Sequence, residues 1–358
     1  MPFQIIRNDI TKVKADAIVN TANPDPIVGG GTDSAIYAAA GEKELLAERQ
    51  KIGEIQPGQA VSTDAFRLQA KYIIHTVGPS WIDGQHGERE ILHACYENSL
   101  SLADKLKCQS IAFPLIATGV YQFPKDEALQ IALSEINKFL LSHEMEVILV
   151  VFDQKAFELS TKLSGSIQEF IDENSVQSLR KMEYGAPLYS EDSQESRREL
   201  RRRQQNKFLE EHADEILASD RMEEPDVTVI PEDLSGKSLE ELVGSPEKTF
   251  QERLFELINE RGIDEVSVYK KANIDRKLFS RIRSKKDYKP KKKTAVALAI
   301  ALGLDLPTMK DLLGRAGFAL SPSSKADLII MYFVSRQDYN IYEINAALFD
   351  YGQPLLGQ

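Results

Sequence analysis

The residue types able to do chemistry crowd into one stretch. Asn20 and Asn23 close a β-branched, apolar run, Ala17-Ile18-Val19, and three consecutive glycines, Gly29 to Gly31, follow them. Thr32-Asp33-Ser34 then opens a helix of small residues that stops at Gly41. Glycines let the backbone approach a ligand in conformations that Cβ-bearing residues resist. The helix N-terminus behind them offers unpaired N–H groups and a partial positive charge, a setting for an anion such as a pyrophosphate. A second grouping is basic. Between Lys270 and Lys293 twelve Lys and Arg residues stand against two Asp, in a chain whose formal net charge is −11, so the remainder carries −21. That asymmetry implies a local basic surface on an acidic protein.

These residues need elements to hold them. A chain of 358 residues implies two or three domains, and 42% hydrophobic with 28% charged residues is a globular composition. Cys95 and Cys108 alone argue against a disulfide framework and for a reducing, cytoplasmic setting. No apolar run has bilayer length and the first residues show no signal-peptide pattern, so no membrane partner is expected. Short strands are predicted at Phe3–Arg7, Ala17–Asn20, Ala60–Asp64, Tyr72–Thr76, Ser110–Leu115 and Glu146–Phe152. Helices are predicted at 88–107, 125–141 and 154–173, the first with apolar residues at helical spacing. Strands alternating with helices predict a mainly parallel sheet covered on both faces, with ligand sites beyond the strand C-termini. Asn20–Thr32, Ala117–Pro124 and Phe152-Asp153 all lie at such ends.

Several of these segments, in order, resemble the macro domain, an ADP-ribose-binding module. Asn8-Asp9-Ile10-Thr11 is similar to its Gly-Asp-Ile-Thr, and Asp16–Asn23 to its Asp-Ala-Ile-Val-Asn-Ala-Ala-Asn. Tyr72–Pro79 and the loop Ile111–Pro124 also match, and the likeness covers residues 1–174. It implies a three-layer α/β/α fold with a mostly parallel six-stranded sheet. It implies that Asp9, beside Ile10, accepts the adenine amino group, and that Phe152 stacks on the adenine face. Ala117, Thr118, Gly119, Val120 and Tyr121 would form the phosphate loop opposite Gly29, Gly30, Gly31 and Thr32. Asn20 and Asn23 would take the distal ribose, although a loop asparagine also caps local backbone. From Asn20 to Gly41 the chain aligns without a gap to the MacroD-type hydrolases, placing Asp33 on the catalytic Asp and Asn23 on the ribose-positioning Asn. A carboxylate there can orient or deprotonate a water; alternatively Asp33 caps the helix that follows.

The pattern has departures. Val28 replaces the first of four glycines, Thr32 a Val, Tyr37 a His, Ala117 a Ser and Gln122 a loop glycine. His93 and Cys95 point to different helix faces and no CxxC or HxxxH pair occurs, so neither a metal nor another cofactor is expected. His75, inside an apolar strand, reads as a hydrogen-bonded core histidine.

Residues 175–247 read as a charged connector, with a solvated helix over Glu191–Glu224, an arginine cluster between Arg197 and Arg203, and an extended segment after Pro225. Residues 248–358 read as an all-helical domain. Within it Val268–Asp275 and Phe279–Ile282 resemble the helix-turn-helix of Cro/Xre-type repressors. That likeness implies base contacts from Arg276, Lys277, Ser280 and Arg281, and DNA or RNA phosphate contacts from Arg283, Lys285, Lys286 and Lys291–Lys293. Tyr269 stands where that motif has a small Ala, and Asn273 where it has a turn Gly. Two functions follow as expectations. One is an enzyme that removes ADP-ribose from a protein or nucleic acid, brought to its target by the basic domain. The other is a non-catalytic ADP-ribose sensor coupled to a DNA-binding regulator.

Overall fold

The computed structural model describes residues 2–152, 159, 161–185, 248–285 and 288–357. Asp153, Lys286, the Glu191–Glu224 segment and the arginine cluster lie outside them. Six strands, β1 (Phe3–Arg7), β2 (Ala17–Thr21), β3 (Ala60–Asp64), β4 (Tyr72–Thr76), β5 (Ser110–Pro114) and β6 (Glu146–Val151), form one sheet in the order β1-β6-β5-β2-β4-β3. Every pairing is parallel except β3 with β4. Alternation along β2 sends Ala17 and Val19 into one core and Ile18 into the other.

The second face is covered by α1 (Thr32–Ala40) and α2 (Glu42–Ile52), which bury Ile36, Tyr37 and Leu45 against Ile18 and Ile73. The first face is covered by α3 (Glu88–Lys105), α4 (Lys125–Ser142) and α5 (Thr161–Gly185). The three layers expected from the sequence are present. The described part of the closing helix begins at Thr161 and runs on to Gly185.

Among the described residues seven helices follow: α6 (Phe250–Arg261), α7 (Glu265–Lys271), α8 (Arg276–Ser284), α9 (Lys292–Ala301), α10 (Leu306–Arg315), α11 (Lys325–Ser335) and α12 (Ile341–Asp350). α9 is apolar all round and buried from Thr294 to Ala301, as the central helix of a bundle must be. Side-chain caps fix the starts of its neighbours: Thr249 with Glu252 forms a capping box on α6, and Asp264, Asp275 and Asp305 accept first-turn N–H groups of α7, α8 and α10.

Residues 1–175 and 248–358 make one compact unit, and 176–247 a second. The first unit shares a continuous apolar core that runs from Phe3 and Ile5 to Leu348. The joint is specific. β1 is an edge strand, and the backbone N–H of Phe3 donates to Asn273 Oδ1 at 2.9 Å while Asn273 Nδ2 donates to the Phe3 carbonyl at 3.0 Å. One side-chain amide thus completes one register of sheet pairing, held in the left-handed conformation (φ 52°) between α7 and α8. Tyr269 donates its hydroxyl to Glu144 at 3.0 Å, Phe3 packs on Tyr342 with ring centroids 5.1 Å apart, and Arg7 lies over the Phe349 ring.

Candidate functional site

A cleft of about 470 Å³ opens beyond the C-terminal ends of β2, β5 and β6. Asn23, Gly29, Gly30, Gly31, Thr32 and Asp33 form one wall; Ala117, Thr118, Gly119, Val120 and Tyr121 form another; Phe152 and Lys125 complete it. The two loops nearly meet, since a Cβ built on Gly30 would stand 3.8 Å from Val120. Ala117 and Gln122 both have positive φ, on either side of the turn that closes Gln122 N–H on the Gly119 carbonyl at 3.0 Å, and that left-handed region favours glycine. That geometry explains the preference for glycine at the second position. Phe152 remains 73% exposed and Val120 74%, so each rim presents an apolar surface to whatever enters.

Asp33 sits in the first turn of α1 and is only 2% exposed. It does not cap that helix through its side chain: the N-cap is Gly31, with φ 64°. Its Oδ1 accepts from Asn20 Nδ2 at 2.6 Å, and its Oδ2 accepts the backbone N–H of Gly29 at 2.6 Å. A Cβ at position 29 would lie 3.0 Å from that Oδ2, so glycine permits the approach. Burial pushes the Asp33 carboxyl above the ordinary aspartate range, against the lowering effects of Asn20, Gly29 and the Arg49 charge. The helix dipole favours negative charge at this end. The result is a desolvated carboxylate of raised basicity on the cleft wall.

Asn20 does not face the ligand space. It is fully buried and reaches Asp33 and His75, so its expected contact with a ribose is corrected to a contact with the carboxylate. Its position at the end of the inner strand β2 imposes that burial. Asn23 lies on the cleft, its Oδ1 accepting from Asp25 N–H at 3.1 Å in a local turn. Asp9 caps a single 3-10 turn, Ile10–Lys12, by accepting from the Thr11 N–H and hydroxyl, which hold its carboxyl below the usual range. It stands outside the cleft wall, at the end of β1 beside β6, where Asn8 N–H meets the Val151 carbonyl; Ile10 is buried in the core.

Arg49 escaped the sequence reading. Among the charges of α2 nothing marks it, yet it is 1% exposed, donates to the Gly53 carbonyl at 2.8 Å and reaches the carbonyls of Asn23 and Pro24. It ties the first loop down and places a cation near Asp33 and Tyr37, whose phenol burial pushes up to about 12. His93 pairs with Glu135 and Cys95 is buried against the Val77 carbonyl. Asp83, His86 and Glu88 place ligand-type atoms within 4.8 Å of one another, but Glu88 accepts four backbone N–H groups of its own loop. Those bonds account for the cluster.

In the helical part, α7 and α8 are joined by the short turn 272–275. Arg276, Lys277, Ser280 and Arg281 share the exposed face of α8, opposite buried Phe279 and Ile282. Arg283 is paired with Glu265 at 2.8 Å, Lys285 is exposed, and Lys270 is drawn to the Leu141 carbonyl at the joint.

Comparison with known proteins finds likeness in the N-terminal part of the chain. The macro domain family model matches residues 19–132. A solved Oceanobacillus iheyensis macrodomain with ADP is 40% identical, covering 43% of this chain and 85% of that one, with a TM-score of 0.41. A macro domain-containing protein of Chlorobaculum tepidum is 46% identical over 147 residues, 41% of this chain and 84% of its own. An O-acetyl-ADP-ribose deacetylase of Citrobacter rodentium is 46% identical over 166 residues, 45% of this chain and 94% of that protein. With nearly the whole of such relatives matched, the chain belongs to the macro domain family, through its N-terminal half.

Proposed function

We propose that the cleft binds ADP-ribose and hydrolyses an ester carried on its distal ribose. The observation that supports this most is Asp33: a buried carboxylate, raised in basicity, aimed by two donors and set between the glycine loop and the 117–121 loop. The relatives' name supplies the simplest substrate, O-acetyl-ADP-ribose. In that reaction Asp33 takes a proton from water, the hydroxide adds to the acyl carbon, and the acyl–oxygen bond to the ribose breaks. The departing ribose oxygen then receives a proton, leaving acetate and ADP-ribose. Gly119 and its neighbours would hold the pyrophosphate through backbone N–H groups. Phe152 would stack on the adenine, whose amino group would reach past the cleft wall to Asp9 at the neighbouring strand end. Asn23 would orient the ribose. An ADP-ribosyl ester on a protein carboxylate carries the same kind of bond and is the larger form of the substrate.

The basic face of α8 adds a targeting role. Arg276, Lys277, Ser280 and Arg281 lie together on an exposed second helix, an arrangement suited to a DNA or RNA groove. This supports delivery of the cleft to nucleic-acid-bound substrate.

Calorimetry with ADP-ribose, then turnover of O-acetyl-ADP-ribose, tests the first part. Asp33→Ala should lower kcat by more than about a hundredfold while ADP-ribose still binds. Wild-type protein that binds ADP-ribose and cleaves neither the acetyl ester nor an ADP-ribosylated protein or DNA is a sensor, and the hydrolase reading falls.

A further inference from the structure

Behind Asp33 a line of polar side chains runs away from the cleft into the sheet. Asn20 on β2 faces His75 on β4, its register partner, and His75 in turn faces Thr63 on β3. Asn20 and His75 are wholly buried and Thr63 nearly so. Asn20 Nδ2 lies 3.2 Å from His75 Nδ1, and His75 Nε2 lies 3.0 Å from Thr63 Oγ1. The directions follow from the carboxylate end. Asn20 Nδ2 is marked as the amide nitrogen by its bond to Asp33, so it donates to His75 Nδ1, and Thr63, with its hydroxyl 3.1 Å from the Asp64 carbonyl, can accept from His75. The proton therefore sits on Nε2 and the Nδ1 lone pair receives one N–H of Asn20; the other N–H goes to Asp33 Oδ1. Asn20 Oδ1 has no partner among the described residues, although it is buried. An unmade acceptor bond in a dry interior is destabilising, so the amide is aimed at a cost. Burial, with the Arg49 charge, pushes the His75 imidazole down to about 3 and keeps the ring neutral.

We infer that His75 is a positioning residue for Asp33, its Nδ1 lone pair holding the Asn20 amide with the nitrogen toward the carboxylate. The inference rests on the hydrolase reading for its kinetic consequence, but not for its geometry. The groups facing Asp33 are Arg49, Tyr37 and Tyr121 with Asn20 and Gly29. Of these Asn20 is the side-chain donor bonded directly to the carboxylate. When its aim is lost, the ionised form loses that donor and the Asp33 carboxyl rises further. The acid limb of kcat then moves to higher pH.

The test compares His75→Leu with His75→Asn, whose Oδ1 occupies the place of Nδ1 and keeps an acceptor for Asn20. His75→Leu should lower kcat about ten- to a hundredfold, with the ADP-ribose dissociation constant within threefold, and shift the acid limb upward. His75→Asn should recover most of kcat and the original limb. Nitrogen NMR of labelled wild-type protein should show His75 as the Nε2–H tautomer, and a carbon-13 titration should show the Asp33 carboxyl higher in His75→Leu. An Nδ1–H tautomer, or a His75→Leu enzyme with an unmoved Asp33 titration, overturns the inference. So does equal loss of kcat and ligand affinity in both variants, the mark of a merely structural residue. If the wild type turns over nothing, the hydrolase reading falls while the tautomer and titration still decide the positioning role. Should His75→Leu fail to fold, the Asp33 titration in His75→Asn against His75→Gln, which keeps only the Thr63 side of the line, decides it.

Discussion

The two ends of the compact unit depart in different ways from the sequence patterns they resemble. In the cleft the departures are local. Gln122, in a glycine's place, keeps the left-handed turn at some strain, and Tyr37, in a histidine's place, is buried beside Arg49 behind the carboxylate. In the helical part the departures serve a long-range contact. Tyr269 and Asn273 are the two residues that spoil the likeness to a repressor motif, and both reach across to the sheet lobe, at Glu144 and Phe3. A substitution that weakens one motif can therefore be the signature of a joint, and the joint is visible only once both partners are placed.

That contrast can be broken at Asn273. Replacing it with Leu leaves two buried backbone groups of Phe3 unpaired and keeps the unfavourable left-handed turn, a loss of about 3–5 kcal/mol, read as a large drop in thermal midpoint. Asn273→Gly relieves the turn but not the backbone groups, so it should recover only about 1 kcal/mol of that. If both variants are as stable as wild type, the joint contributes nothing. Next in size, neutralising Arg276, Lys277 and Arg281 together should weaken binding to pooled DNA and RNA and reduce its salt dependence. The slope of log affinity against log salt should fall by about 0.9 for each phosphate that is no longer neutralised. An unchanged slope would remove α8 from any nucleic-acid role, and sharpen the motif into a docking scaffold alone. The smallest effect belongs to the cleft: Gln122→Gly trades a positive-φ penalty for backbone entropy, a gain of about 0.5–1 kcal/mol in urea unfolding. A loss there would mean that the Gln122 side chain stabilises the loop.

The sheet was legible because its signals are short-range. β3 and β4 lie on the residues expected from the sequence, and the apolar residues at helical spacing over 88–107 fall on α3. The cleft wall was legible because loop residues at parallel-strand ends converge in space. Asn20 was misplaced because a polar residue at a strand end looks the same whether it turns outward to a ligand or inward to a carboxylate. Arg49 was invisible for a related reason: only the fold distinguishes one buried guanidinium from the exposed charges on the same helix. His75 was recognised as a core residue, but its partners sit on two other strands, and strand order is not written in spacing.

The amide that completes the edge of β1 has a consequence in time. Phe3 and Asn273 are 270 residues apart in the chain. At ribosomal speeds of about 5–20 residues per second, tens of seconds separate their emergence. Through that interval the first strand carries an open edge, the kind that recruits foreign strands. Synthesis thus leaves this strand waiting for a partner made 270 residues later.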